Sequence, residues 1–100
     1  MEDLRERYER AVLALRDRAA EMHRSGASAE TVARALHEER RRLAGIFKEM
    51  TPEPLRSRII ERTIRVYGDA LGPTIDFLRA RGKTWEEIAD GATRPGSPIS

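Results

Sequence analysis

His23 and His37 are the only side chains in this 100-residue sequence that ordinarily titrate near neutral pH. His37 stands between Arg34 and Arg41, one turn to either side if the segment is helical. That spacing suits a general base flanked by guanidinium groups that hold a phosphate. It equally suits an ordinary histidine on the surface of a charged helix. A metal site is not expected. The histidines are much further apart than the three or four residues of a helical metal pair, and there is no cysteine to complete a set.

Cations recur at helical steps. Arg58, Arg62 and Arg65 follow steps of four and three, and Arg34, Arg41 and Lys48 follow steps of seven. If the two faces converge, they make a cationic cleft suited to a phosphate backbone. The plainer alternative is a solvated face with Glu38, Glu49 and Glu61 interleaved. Tyr67-Gly68-Asp69 and Trp85 fall at helix ends and loops, where rigid elements often present functional groups. Asp69 could instead cap a turn, and Trp85 could pack against Leu78. Gly82-Lys83-Thr84 is not a phosphate-binding loop, because Phe77 stands where that motif needs its first glycine and no strand precedes it.

The elements that carry these residues all read as helices. Leu4, Tyr8, Ala11, Leu15, Ala19 and Met22 alternate steps of four and three, a narrow coiled-coil-like seam that ends at Ser25-Gly26. Ser28 then caps a second helix carrying Val32, Leu36, Leu43, Ile46, Phe47 and Met50. The two should pair as an antiparallel hairpin, with the polar run Glu38–Arg42 solvated. Thr51-Pro52 reads as the start of a third helix, whose apolar side is Leu55, Ile59, Ile60, Ile64, Val66 and Tyr67, and which stops at Gly68. Gly72-Pro73 opens a short fourth helix that ends at Gly82. Thr84-Trp85-Glu86-Glu87 is a capping box for a short fifth helix ending at Gly91.

The expected fold is therefore all-α, a long antiparallel hairpin followed by a third helix and two short ones. One domain is expected over residues 1–93, with 1–50 as the hairpin scaffold, 51–93 as the half that carries the motifs, and 94–100 as a flexible tail. Charge is 36% of the composition and the net charge is +2. It is spread evenly, with 11 Lys/Arg against 10 Asp/Glu in residues 1–50, so no basic arm stands out. Lys48 and Lys83 are the only lysines, which leaves arginine, the better bidentate phosphate ligand, as the dominant cation. Absence of cysteine suits a reducing compartment. No signal peptide is expected from the charged start MEDLRERYER, and no apolar run is long enough to span a membrane.

The stretch from Lys48 to Gly96 resembles a bacterial toxin module. The residues that carry the likeness are Lys48, Thr51-Pro52, Arg62, Tyr67-Gly68-Asp69, Leu71-Gly72-Pro73-Thr74, Arg79, Gly82-Lys83-Thr84-Trp85-Glu86 and Arg94-Pro95-Gly96. They look like the C-terminal toxin domains of polymorphic toxins of the Rhs and contact-dependent growth inhibition type. The pattern runs Arg-Asn, Tyr-Gly-Asp, Leu-Gly-Pro, Gly-Lys-Ser/Thr-Trp-Glu and Arg-Pro-Gly-Gly. This sequence departs from it at Thr63, in place of Asn, and at Ser97, in place of Gly. Such modules are delivered into a neighbouring cell and neutralised by a cognate immunity protein, and many are nucleases that act on tRNA. The resemblance thus implies a small ribonuclease acting in the bacterial cytoplasm, with Lys48, Arg62, Tyr67, Asp69, Thr74, Lys83, Trp85 and Arg94 as the matching polar positions.

For metal-independent RNA cleavage, the candidates are His37 or Asp69 as base and Arg62 and Lys48 for phosphate stabilisation, with no cofactor. Tyr67 or Trp85 could stack a base, and Arg58, Arg65, Thr74, Lys83 and Arg94 could line the substrate. The rival expectations are a helical module that binds a protein through the first-helix seam, and a nucleic-acid binder without catalysis. Oligomeric state is open.

Overall fold

The computed structural model describes residues 3–95, which leaves the expected flexible tail beyond Pro95, with Gly96 and Ser97, outside the described residues. Five helices follow in order: α1 (Leu4–Arg24), α2 (Ala29–Met50), α3 (Leu55–Tyr67), α4 (Ile75–Ala80) and α5 (Trp85–Ala92). No strand occurs among the described residues. The chain measures 44 × 35 × 18 Å. Its thin dimension is less than two helix diameters of about 10 Å, so few positions can be covered on all sides.

The helix boundaries have local chemical causes. Asp3 accepts from the Glu6 N–H at 2.8 Å and caps α1. Gly26, at φ 85°, makes the left-handed turn after it. Ser28 accepts from the Thr31 N–H at 3.1 Å and starts α2. The hairpin is antiparallel. Tyr8 near the start of α1 meets Phe47 near the end of α2, their ring centroids 5.2 Å apart. Leu15 in the middle of α1 packs with Val32 and Leu36 in the first half of α2.

α2 is the central element, and it packs more extensively on α5 than on α1. One cluster joins Leu15, Val32, Leu36 and Ala92, and a second joins Ala33, Leu78 and Ile88, with Ala89 touching both. Leu36, Val12 and Val32 are the largest fully buried side chains. Each stabilises the fold by about 1.5–3 kcal/mol through apolar burial. The seam of α1 is thus occupied within the chain. Val12 and Leu15 are buried, and Ala19 and Met22 pack on the first cluster.

Four local expectations are corrected. The run Glu38–Arg42 is not simply solvated, because Arg40 and Arg41 turn inward and are half-buried. Thr51 does not open α3. It ends α2, donating its hydroxyl to the Phe47 carbonyl at 2.8 Å. α3 begins later, at Leu55, where the Glu53 carboxylate accepts from the Ser57 N–H at 2.9 Å in place of the expected cap. α5 runs through Gly91 to Ala92. The apolar side of α3 does not enter a core. None of its residues is buried, and Leu55, Ile64 and Val66 remain about half exposed.

Candidate functional site

α3 follows α2 after a short link, and Asp69 in the loop after α3 meets Arg41 of α2. Between the two helices, the α3–α4 loop and α5 lies a cavity of about 630 Å³, a volume typical of ligand pockets. Its charged lining is Arg5, Arg40, Arg41, Lys48, Arg62 and Lys83 against Glu87 alone. His37, Tyr67 and Thr63 also reach it, and Ala44, Ile59, Val66, Leu71, Leu78 and Ile88 supply apolar wall.

His37 is 7% exposed, which removes the surface-histidine alternative. It sits on the buried face of α2, one turn after Ala33. Its imidazole N–H donates to the Pro73 carbonyl. Burial pushes its pKa below the ordinary histidine value. The Arg41 and Arg40 charges add to that, and the Pro73 bond opposes it. The ring is therefore neutral at pH 7, with one nitrogen protonated toward Pro73 and the lone pair of the other unprotonated.

Lys48 lies further along α2. Burial, and then the charges of Arg40 and Arg41, push its pKa below that of an ordinary lysine. Arg62 projects from α3 on the opposite wall. Neither has a hydrogen bond or ion pair among the described residues. The other cations are engaged. Arg41 donates from one nitrogen to both Asp69 oxygens, at 3.1 and 3.2 Å, and from the other to the Gly72 carbonyl at 3.1 Å. Arg40 donates to Tyr8 Oη at 3.0 Å and to the carbonyls of Gly91, Ala92 and Arg94, which closes the C-terminus of α5.

Several expected site residues stand elsewhere. Asp69 is no free base. Its carboxylate accepts from the Leu71 N–H at 2.8 Å and from Arg41, and these contacts hold its pKa below the usual carboxylate value. Arg34, expected to flank His37 at a phosphate, instead pairs with Glu30 at 2.8 Å. Trp85 lies outside the cavity. The Arg79 and Arg34 guanidinium carbons stand 4.2 and 5.0 Å from its ring centre. Thr74 caps α4, accepting from the Phe77 N–H at 3.1 Å. Arg94 pairs with Asp90. Arg58 and Arg65 are exposed and do not line the cavity, so only Arg62 of that stripe faces it. Of the other stripe, Arg41 and Lys48 do.

Thr63 lines the cavity but donates its hydroxyl back to the Ile59 carbonyl at 2.7 Å. It thus offers a ligand no donor of the kind a carboxamide would. The inward turn of Arg40 was not legible from the sequence, which places it inside a charged run with no periodic signal. Among the described residues no three His, Asp or Glu side chains gather as a metal would require, and a cation-rich wall repels a divalent ion.

No family model, curated protein or solved structure matches the chain. No helix among the described residues is long and apolar enough to cross a membrane.

Proposed function

We propose that this chain is a ribonuclease toxin domain of interbacterial competition, cleaving tRNA or another RNA without a metal ion and neutralised by a cognate immunity protein. The observation that carries the nuclease reading is His37, a neutral, buried imidazole that opens onto a cavity whose walls hold the unpartnered cations Lys48 and Arg62. The toxin and immunity-protein parts rest on the resemblance over Lys48–Gly96.

In this reading the free nitrogen of His37 takes the proton of a ribose 2′-hydroxyl. The 2′ oxygen bonds to phosphorus and the bond from phosphorus to the 5′ oxygen breaks, leaving a 2′,3′-cyclic phosphate. Lys83 follows α4, whose Leu78 packs against Ala33 one turn from His37, and it supplies the proton to the departing oxygen. Charge that builds on the phosphorane is stabilised by the cationic wall. The test is incubation of the purified protein with total tRNA in EDTA, beside His37→Ala. Cleavage to cyclic-phosphate ends by the parent and not by the variant supports the reading. An intact RNA pool, where a control nuclease cuts, removes it.

A second reading, RNA binding without cleavage, is favoured by the Pro73 bond of His37, since a buried histidine on a backbone acceptor can serve structure alone. Binding that weakens steeply with salt, with no product formed, would select it.

A further inference from the structure

A positive surface lies where α4 turns into α5. From Phe77 to Trp85 the chain carries Arg79, Arg81 and Lys83 and no acid. Phe77 and Trp85 both pack against the cluster of Ala33, Leu78 and Ile88. Each ring seats a guanidinium. The Arg79 carbon lies 4.2 Å from the Trp85 ring centre, and the Arg81 carbon 4.7 Å from that of Phe77. Arg34 of α2 also stands over Trp85, at 5.0 Å, but Glu30 neutralises it.

Arg79 and Arg81 are exposed, and neither pairs with an acid among the described residues. Arg5, Arg42, Arg56 and Arg94, by contrast, each pair with an acid three or four residues away. One nitrogen of Arg79 donates to the Lys83 carbonyl at 3.0 Å, and Arg81 makes no hydrogen bond. The remaining N–H groups of both are left to solvent. Seating on a ring restrains the side chain without using those groups, which prepares a guanidinium for phosphate. The surface also joins the cavity. Lys83 lines the cavity while its carbonyl holds Arg79. Tyr67, another lining residue, meets Phe77 edge-on with ring centroids 5.7 Å apart.

We infer that Arg79 and Arg81 form a phosphate contact outside the cavity, which holds the backbone of an RNA beyond the nucleotides that enter it. The inference rests on the reading of the cavity as an RNA site, and not on cleavage there. The rings serve as seats and the guanidinium groups make the contact, so this surface positions the RNA and reads no sequence. It acts on long RNA only.

The test measures binding of a 2′-O-methyl RNA hairpin, which cannot react by 2′ attack, across a range of salt concentrations. The parent is compared with Arg79→Gln, Arg81→Gln and the double variant. Each single change should lower the slope of log affinity against log salt by about 0.7–1 and weaken binding at low salt by about three- to tenfold. Cleavage of the dinucleoside monophosphate UpU, too short to reach the surface, should stay parental in both. Arg81 has no hydrogen bond to lose, so its variant is the one expected to fold as the parent does, checked by far-UV circular dichroism. Hairpin binding with an unchanged slope in a folded Arg81→Gln and in the double variant overturns the contact, whether or not tRNA is cut. Variants that keep the hairpin but lose binding of poly-L-glutamate assign the surface to an acidic protein, and this too overturns it. A reduced slope in a protein that leaves tRNA intact sustains the contact and removes the ribonuclease reading.

Discussion

Arg41 of α2 donates to both carboxylate oxygens of Asp69, at 3.1 and 3.2 Å, and so ties the α3–α4 loop to the helix that carries His37. Its other nitrogen holds the Gly72 carbonyl, next to the Pro73 carbonyl that receives the His37 N–H. The pair acts on the site through that loop, and Asp69 is a positioning residue. Asp69→Ala is expected to lower the unfolding free energy by about 1–3 kcal/mol, because it leaves a half-buried guanidinium and the Leu71 N–H without their acceptor. The folded pKa of Asp69 is depressed, so its stabilisation is present above the unfolded carboxylate value and is lost as pH falls through the folded one. Urea melts at neutral and acid pH check both points. A variant of parental stability that has lost all cleavage would make Asp69 the base.

His37 sets the pH dependence. Its pKa is lowered from 6.5 on folding. Below that value the unfolded chain binds a proton that the folded one resists, so stability falls as pH drops under 6.5 toward the folded value. His37→Gln should remove that component of the acid destabilisation. The same shift keeps the imidazole in its basic form in weak acid, so the acid limb of the cleavage profile is expected below 6.5. A limb at or above 6.5 would show an unburied, ordinary histidine.

Arg40 is a structural residue despite its charged neighbours. Arg40→Met keeps much of the stem and removes the donors to Tyr8 Oη and to three carbonyls at the end of α5. A loss of about 1–3 kcal/mol is expected, with faster amide hydrogen exchange confined to α5 and its C-terminus. A loss under about 0.5 kcal/mol would return Arg40 to an ordinary surface role.

Trp85 separates packing from recognition. The residue joins the Ala33, Leu78 and Ile88 cluster and lies under Arg79 and Arg34, away from the cavity. Trp85→Leu should cost about 1–2 kcal/mol of stability and leave RNA affinity close to the parent's. A large drop in affinity with stability unchanged would identify it as a base-stacking platform.

The all-helical fold was legible because its signals are local. The apolar spacing of α1 and α2, the caps at Ser28 and Thr84, and the left-handed glycines Gly26 and Gly68 each act within a few residues. Two boundaries escaped for the same reason. Thr51 can satisfy the helix before it as well as one after it, and Gly91 carries its helical turn where Arg40 holds its carbonyl. The site was only partly legible. His37, Lys48, Arg62, Tyr67 and Lys83, each a candidate from the sequence, line one cavity. Which arginines remain unpaired was not legible, because that depends on contacts such as Arg41 with Asp69, 28 residues apart in the chain.

Cleavage of total tRNA by the purified protein in EDTA, read by gel and by the chemistry of the new ends, tests the assignment of His37 and its cationic cavity most directly. The expected result is RNA fragments ending in 2′,3′-cyclic phosphate, formed by the parent and lost in a folded His37→Ala. Intact RNA under conditions where a control nuclease cuts, or cleavage that His37→Ala performs as well as the parent, contradicts it.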